Sequence, residues 1–336
     1  MALPISAACG RCTRTRRRER RVPLPDFVEA LGADLYAIDT GFERPRFDAA
    51  YLIVDSGRAA FVDTGTNHAV PRLLAALRAL ELSPAAVDWV IPTHVHLDHA
   101  GGAGLLMRSL PLARMAVHPR GARHMIDPGA LYAGASAVYG ADEMARLYGV
   151  PEGVDAARVT SSADGMTLTL GTRVLEFVDT PGHARHHHCI WDARTRTWFT
   201  GDTFGLSYPE LANARGRWVT PTSAPVQFDP EPLKASVARL LARAPAALCV
   251  THFGRVPQAP HLGPLLLSQI DEMAGFGERL RHAEHRHAQL CDALRAMYAR
   301  RLSEHGFDDI AGKLALLEMD VEINAQGMAS WLDRTS

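Results

Sequence analysis

The sequence lacks an excess of charge of either sign, because its 336 residues carry 36 Lys and Arg against 37 Asp and Glu. This balance gives no long-range field that would attract a polyanion, so nucleic acid and anionic lipid are not expected as main partners. The sequence also lacks any run near the roughly 18 to 20 apolar residues that span a bilayer. Both absences argue for a soluble protein with no membrane partner.

Cysteine is scarce as well, with five scattered residues. An odd and dispersed set argues against a disulfide framework and fits a reducing compartment, so we expect a cytoplasmic protein. Cys9 and Cys12 form a CxxC pair, but no second pair lies nearby to complete a tetrahedral zinc site. What the sequence does have is histidine, 16 residues in all, and 47% hydrophobic residues with which to build a core.

Three regions are indicated along the chain. Residues 1–32 form an arm with seven Arg between Arg11 and Arg21 and almost nothing apolar there, which predicts disorder. Residues 33–260 alternate short β-branched runs with amphipathic helical segments, which is typical of a layered α/β architecture. Residues 261–336 are rich in helix formers after a proline-rich break at 257–264, and predict a small helical domain.

The segment Thr93–His99 carries the strongest chemical signal. It follows a predicted strand and contains four metal-ligating side chains, His94, His96, Asp98 and His99. So dense a set at a strand end has little structural use and is typical of a metal site. In an extended segment His94 and His96 point the same way and can hold one metal, whereas Asp98 and His99 face a second position.

Three further candidates recur in turns that follow predicted strands. His183 comes after a Pro-Gly turn, Asp202 lies in a Gly-Asp-Thr run, and His252 lies in a Thr-His-Phe-Gly run. Each residue alone would be a weak signal. The ordered set of seven is a strong one, and it predicts that these side chains converge on a metal centre.

In this order the seven positions resemble the metallo-β-lactamase superfamily, over roughly residues 34–256. The resemblance implies an α/β fold, an αββα sandwich of two mixed β-sheets flanked by helices, with a C-terminal helical extension. The flanking runs at 99–104 and 180–183 look most like the lactonase and glyoxalase II-like branches. Asp202 also suits those branches, whereas many true β-lactamases have Cys at this position.

The resemblance implies a dinuclear hydrolase with two divalent metal ions, Zn²⁺ being favoured and Fe or Mn the alternatives. The implied ligands are His94, His96 and His183 for the first metal, Asp98, His99 and His252 for the second, and Asp202 bridging both. A hydroxide that bridges the metals would then be the nucleophile. Asp98, both a ligand and a carboxylate, would carry a proton to the leaving group.

The expected partner is a small-molecule substrate, namely an ester, thioester, lactone or phosphotriester. Tyr208, in a polar loop that borders the metals in this fold, is a candidate to bind the substrate oxyanion. The helical C-terminal region shows no basic pattern that would hold glutathione. A homodimer is compatible with the sequence and is left open.

Two other functions remain open. The same ligand set can hold iron, so an iron-dependent oxidoreductase resembling the sulfur dioxygenases is the main alternative. An RNA-processing nuclease is a weaker one, because only the Arg-rich arm offers a basic track. A metal-free binding protein is disfavoured because all seven ligand positions are filled.

Overall fold

The computed structural model describes residues 23–223, 225–257 and 259–335. The predicted N-terminal arm therefore falls mostly outside the described residues, as does the CxxC pair. Where the arm is described, its predicted disorder was wrong, because Val28–Gly32 form the first strand, β1. This strand pairs antiparallel with the next one, Leu35–Asp39, through a turn in which Ala33 and Asp34 have positive φ.

The first sheet contains seven strands in sequence order, of which the first four are antiparallel and the last three join in parallel. Its strands are β1 (Val28–Gly32), β2 (Leu35–Asp39), β3 (Ala49–Asp55), β4 (Arg58–Val62), β5 (Val87–Ile91), β6 (Arg114–Val117) and β7 (Val159–Ser161).

The second sheet contains six strands in the order β15, β14, β11, β10, β9, β8, with only β11 and β14 pairing in parallel. Its strands are β8 (Thr167–Leu170), β9 (Arg173–Asp179), β10 (His188–Asp192), β11 (Thr197–Gly201), β14 (Ala247–Val250) and β15 (Gly254–Val256). A small separate hairpin joins β12 (Ala212–Asn213) and β13 (Gly216–Arg217).

Helices cover the outer face of each sheet. On the first sheet and in the segment before β7 they are α1 (Val70–Ala79), α2 (Leu97–Ala100), α3 (Ala103–Ser109), α4 (Pro119–Ile126), α5 (Gly129–Tyr139) and α6 (Ala141–Tyr148). Against the second sheet lie α7 (Pro230–Leu241), α8 (Ala259–Arg279), α9 (Arg286–Glu304), α10 (Ile310–Leu316) and α11 (Glu318–Arg334).

Alternation along β3 explains the layering. Ala50 and Leu52 point into the apolar cluster beneath α1 and α3, whereas Tyr51 and Ile53 point into the cluster between the two sheets. Because both faces of this strand are buried, the sheet must be covered on both sides. The result is the αββα sandwich that the resemblance implied.

The C-terminal helices share one apolar cluster with the second sheet. Trp198 and Val250 of that sheet, Val237 of α7, and Leu266 and Val321 of the C-terminal helices all belong to it. The region is helical as predicted, but the proline-rich break was wrong from residue 259 onward, where α8 begins and runs through Pro264. Pro264 lies inside α8, past the first turn, so it removes one intrahelical hydrogen bond without ending the helix.

Candidate metal centre

The first motif lies where the chain leaves β5 and enters the short helix α2. His94 is fully buried, and His96, the residue before α2, has extended backbone angles of φ −64° and ψ 151°. The expected extended backbone is therefore observed at His96, whereas His94 lies in a bend just after β5. Asp98 and His99 instead lie in the helical turn that follows, which directs them to a second position.

The other three candidates leave the second sheet at one edge. Strands β9, β11 and β14 run in the same direction, and His183, Asp202 and His252 each come within four residues of their ends. Because strands that run the same way end at the same edge, the three side chains meet there. Together with the first motif they form the central cluster, defined as His94, His96, Asp98, His99, His183, Asp202 and His252.

Within the central cluster the donor atoms form two sets. In the first set, Nδ1 of His96 lies 2.7 Å from Nε2 of His94 and 3.3 Å from Nε2 of His183. In the second set, Oδ2 of Asp98 lies 3.5 Å from Nε2 of His99 and 3.5 Å from Nε2 of His252. Metal bonds of 2.0 to 2.1 Å at tetrahedral angles would separate two donors by about 3.4 Å.

Asp202 joins the two sets through its two carboxylate oxygens. Its Oδ2 lies 3.2 Å from Nε2 of His183 and 3.9 Å from Nε2 of His94. Its Oδ1 lies 3.3 Å from Nε2 of His99 and 3.6 Å from Nε2 of His252. One carboxylate therefore faces both sets, one oxygen to each.

The electrostatics of the first set favour neutral imidazoles. Burial, reinforced by the neighbouring histidines, holds the pKa of His94 and of His96 well below the usual value. Burial also lowers the pKa of His183. A neutral imidazole keeps a lone pair available, which is the form that binds a metal.

The second set has the opposite character. Burial acts to lower the pKa of His99, but the carboxylates of Asp202, Asp98 and Asp63 outweigh it and hold that pKa well above the usual value. Burial acts to raise the pKa of Asp202, but His99, His183 and His252 outweigh it and hold that pKa well below the usual value. The electrostatic potential between the two sets is therefore negative, and it stabilises a positive charge placed there.

Two donor atoms test whether the central cluster fits metal ions. Nε2 of His99 and Oδ1 of Asp202 are buried and have no hydrogen-bond partner among the described residues. A buried polar atom without a partner costs free energy unless a ligand or ion satisfies it. The nitrogen and oxygen donors are those of borderline divalent cations, so the residues fit a pair of such ions.

Sequence reasoning missed Asp63, whose buried carboxylate contacts His99 and the residues next to His94 and His252. It is 1% exposed, and its Oδ1 accepts hydrogen bonds from the N–H (2.7 Å) and hydroxyl (3.0 Å) of Thr93. Its Oδ2 accepts one from the hydroxyl of Thr251 at 2.9 Å and lies 3.0 Å from Nδ1 of His99. Nδ1 of His99 is thus engaged, which leaves Nε2 for the cluster. Its position just after β4 was the available signal.

Asp48 is a second residue that sequence reasoning missed. It is fully buried, its Oδ2 accepts a hydrogen bond from the Thr40 hydroxyl at 3.1 Å, and its Oδ1 has no partner among the described residues. Burial raises the pKa of Asp48 well above the usual value, opposed by His99 and reinforced by Asp98. The second set therefore has a carboxyl group in its surroundings whose burial disfavours the charged form.

Tyr208 lies beside the central cluster, but its hydroxyl is engaged elsewhere. The side chain is 1% exposed, and its hydroxyl donates to Oδ1 of Asp320 at 3.2 Å. Its ring stacks on Phe47 at 5.1 Å between centroids, and Phe47 in turn meets the His252 ring at 5.5 Å. Arg44 covers the outer face of the Tyr208 ring. A role in binding the substrate oxyanion stays a prediction.

A third group of metal-ligating side chains lies on the C-terminal helices. Nε2 of His287 on α9 lies 3.0 Å from Oε1 of Glu322 on α11, and Sγ of Cys291 lies 3.7 Å from the same nitrogen. His287 and Glu322 are about half exposed. We refer to these three residues as the peripheral cluster. No helix in the described ranges is both long and apolar enough to cross a bilayer.

A family model described as "Metallo-beta-lactamase superfamily" matches residues 44–252. A hydroxyacylglutathione hydrolase from Acidiphilium cryptum is 31% identical over 138 residues, which cover 41% of this chain and 42% of that protein. An atrochrysone carboxyl ACP thioesterase from Aspergillus fumigatus is 27% identical over 179 residues, which cover 53% of this chain and 42% of that protein. The chain thus spans about two fifths of the length of these relatives.

Solved structures resemble the chain over most of its length. A metallo-beta-lactamase superfamily protein from the archaeon Sulfolobus tokodaii matches with a TM-score of 0.61 and 22% identity, covering 90% of this chain and 98% of that one. A metallo-beta-lactamase family protein from Thermus thermophilus matches with a TM-score of 0.59 and 20% identity, covering 91% and 95%. At these identities the likeness is one of fold.

Proposed function

Since the chain belongs to the metallo-β-lactamase superfamily, we propose that it is a metal-dependent hydrolase with two divalent cations in the central cluster. The first cation is held by His94, His96 and His183, and the second by Asp98, His99 and His252. Asp202 contributes one oxygen to each. Zn²⁺ is the preferred ion, because the set combines imidazole and carboxylate donors in numbers that leave room for water.

One observation carries this proposal, namely the shared carboxylate of Asp202. Its two oxygens lie 3.2 Å from His183 and 3.3 Å from His99, which belong to different donor sets. A single ion would leave one of the two donor sets without a cation, although Asp202 lies equally close to both. Two ions roughly 3.5 to 4 Å apart are the usual arrangement in hydrolytic sites with a common bridging ligand.

When bound, such a pair of cations lowers the pKa of water toward neutrality and polarises a carbonyl or phosphoryl oxygen. The residues of this chain do the rest. His94 and His99, both fully buried, exclude solvent from the floor of the site. Asp98 keeps 23% of its side chain exposed, so its carboxylate is accessible to a substrate. We assign Asp98 the transfer of a proton to the leaving group.

The proposed substrates are small esters, thioesters, lactones and phosphotriesters, with thioesters first. The names of two relatives, a hydroxyacylglutathione hydrolase and an ACP thioesterase, support hydrolysis of thioesters. All four classes develop negative charge on an oxygen during attack, which suits a cation-lined site. The chain's share of those relatives is about two fifths, so their own substrates are starting points for a panel.

The experiment is to measure the metal content of the purified protein and then its turnover of one substrate from each class. Asp98→Asn leaves an amide oxygen in the second set but no group that can transfer a proton, so with Zn²⁺ in excess it should stay loaded with metal. Its kcat should then fall on the order of 10²- to 10⁴-fold, the usual contribution of general acid–base catalysis. Asp88→Asn is the matched control. Asp88 lies at the opposite end of β5, paired with Arg58, and its substitution should leave kcat unchanged.

The same preparation separates the hydrolase from the iron-dependent alternative. Zinc in the purified protein together with hydrolysis supports the proposal. Iron in the protein, oxygen consumption with a persulfide and no hydrolysis of any of the four classes would replace it with the oxidoreductase. Absence of tightly bound metal, with hydrolysis unaffected by chelators, would overturn the proposed centre altogether.

A further inference from the structure

The buried face of α11 contacts a loop beside the metal centre through Asn324. This side chain is 1% exposed, and its Oδ1 accepts a hydrogen bond from the N–H of Ser223 at 2.6 Å. Its Nδ2 donates to the carbonyl of Pro221 at 3.1 Å and to the hydroxyl of Tyr298 at 2.8 Å. The amide orientation is fixed by these partners, because a flipped amide would set N–H against N–H and oxygen against carbonyl.

Between Pro221 and Ser223 lies Thr222, whose carbonyl faces the central cluster. Nδ1 of His183 lies 3.0 Å from this carbonyl oxygen and donates its proton to it. With the proton on Nδ1, the lone pair on Nε2 points to Asp202 and His96. The carbonyl of Thr222 therefore sets both the tautomer and the ring orientation of a proposed metal ligand.

The opposite side of this loop is fixed by the chain that carries Asp202. The N–H of Leu206 donates to the carbonyl of Thr220 at 2.9 Å, and the N–H of Thr220 donates to the carbonyl of Leu206 at 3.2 Å. Gly205 allows this approach, since a Cβ at that position would lie 2.0 Å from the Thr220 oxygen. The loop that contains Thr222 is thus held on one side by the turn that follows β11 and on the other side by α11.

We infer that Asn324 is a positioning residue for the central cluster. Its amide forms hydrogen bonds with Pro221 and Ser223 and so holds the Thr222 carbonyl against His183. The inference rests on the proposed metal-dependent function and adds a residue from the C-terminal helices to it. Asn324 never touches the ions or the substrate. It acts through two peptide groups and one imidazole.

The test uses the full chain and Zn²⁺ as the probe, with affinity measured by competition with a chromogenic chelator. Asn324→Ala should weaken one of the two zinc-binding steps by about 10-fold, the low end of the 10- to 100-fold range for loss of an outer-shell partner, because the Thr222 carbonyl remains in the chain but loses its support. The step affected should be the one that His183→Ala abolishes. The absorption spectrum of the Co²⁺-substituted protein should also change, because the orientation of the His183 ring changes.

Met328→Ala is the matched control for mere destabilisation. Met328 is fully buried one turn further along α11 and belongs to the apolar cluster rather than to the loop contact. It should lower Tm at least as much as Asn324→Ala while leaving both zinc affinities within about twofold and the Co²⁺ spectrum unchanged, because it keeps the hydrogen bonds of Asn324 to Pro221 and Ser223. If Met328→Ala and Asn324→Ala weaken zinc binding equally, the effect is one of stability and the inference is overturned.

Tyr298→Phe keeps the test decisive if Asn324→Ala does not fold. It removes one hydroxyl that bonds to Nδ2 of Asn324 and preserves the packing of the ring. A several-fold loss at the same zinc step supports the inference, and unchanged affinity overturns it. A wild-type protein that binds no Zn²⁺ overturns both proposals, whereas wild-type binding of two ions that Asn324→Ala leaves intact overturns only this one.

Discussion

The central and peripheral clusters both bring imidazole and carboxylate donors close together, with a thiol added in the peripheral one, yet they differ in what surrounds them. In the central cluster His99 is fully buried, and Asp63 engages its second ring nitrogen. In the peripheral cluster His287 and Glu322 are about half exposed, and they contact each other at 3.0 Å. Proximity of ligand atoms is therefore common to both, and the difference lies in burial and in the groups that orient each ring.

The largest expected effect comes from removing the residue that both donor sets share. Asp202→Ala should abolish binding of at least one cation and lower kcat/KM by roughly 10³-fold, because losing several kcal/mol of Lewis-acid stabilisation corresponds to about that factor. Metal content and kinetics on the substrate found in the panel measure it. Cys291→Ser in the peripheral cluster is the control and should change neither. Equal losses in both variants would erase the distinction between the clusters.

The next effect contrasts two carboxyl groups on α11, the buried Asp320 and the exposed Glu322. Burial raises the pKa of Asp320 to about 7, opposed by its bond from Tyr208 and by Arg44 and reinforced by Asp202. The folded metal-free protein then holds a proton between about pH 4 and pH 7 that the unfolded chain has released. The contribution of Asp320 to the free energy of unfolding should therefore fall as pH rises through that window, by up to about 4 kcal/mol, and level off above pH 7. Buried histidines such as His94, whose pKa is lowered, contribute the opposite trend, so the Asp320 contribution is measured as the difference between wild type and variant.

Asp320→Asn should remove this dependence, so the variant should be more stable than wild type at pH 8 and nearly equal at pH 4. Urea denaturation of the metal-free protein at several pH values measures it. For Glu322 the pKa is lowered, by Gln326 first and then by His287, so its small contribution is present above its unfolded pKa and lost on acidification. Glu322→Gln should therefore leave the slope between pH 4 and 7 in place. A difference between wild type and Asp320→Asn that stays constant from pH 4 to pH 8 would contradict the assignment.

A smaller effect is expected from the group that orients His99. Asp63→Asn should weaken one zinc-binding step by about 10- to 100-fold, because an amide cannot accept from Thr93, Thr251 and His99 as the carboxylate does. Asn tolerates the positive φ of 56° at this position, so the substitution tests the carboxylate rather than the backbone. Competition with a chelator measures the affinity, and an unchanged value would mean that burial alone prepares the site.

The smallest effect should come from the peripheral cluster itself. His287→Gln breaks an exposed ion pair with Glu322, so the free energy of unfolding should fall by less than about 1 kcal/mol. The zinc stoichiometry at the central cluster should not change. Thermal unfolding with and without added Zn²⁺ measures both. A Zn²⁺-dependent rise in Tm that His287→Gln removes would show that exposure does not prevent this cluster from binding metal.

The sequence predicted those parts of the molecule whose signal is local. Strand β2 (Leu35–Asp39) lies in the region where short apolar runs predicted an α/β architecture, because such runs between turn residues mark strands directly. The seven ligand candidates were predicted because each follows a strand, and strands that run together bring their ends together. Their roles as ligands stay predictions until metal is measured.

The groups that support the site could not be predicted, because their partners are remote in sequence. Asp63 meets Thr251 across 188 residues, and Asn324 meets Ser223 across 101. An Asp after a strand or an Asn in a helix gives no local sign of such a partner. Tyr208 was placed in the right loop, but its hydroxyl partner, Asp320, lies 112 residues later on a helix with no motif of its own.

The contact between Asn324 and the Pro221–Ser223 loop also constrains the order of assembly. All seven ligand residues precede Asn324, so a ribosome completes them before it makes the residue that fixes the Thr222 carbonyl. During synthesis the contact that holds the Thr222 carbonyl against His183 therefore cannot form until the last helix has been made. Metal bound at that stage would meet an incomplete site with lower affinity. The docking of α11 would then complete the site and slow the release of the metal.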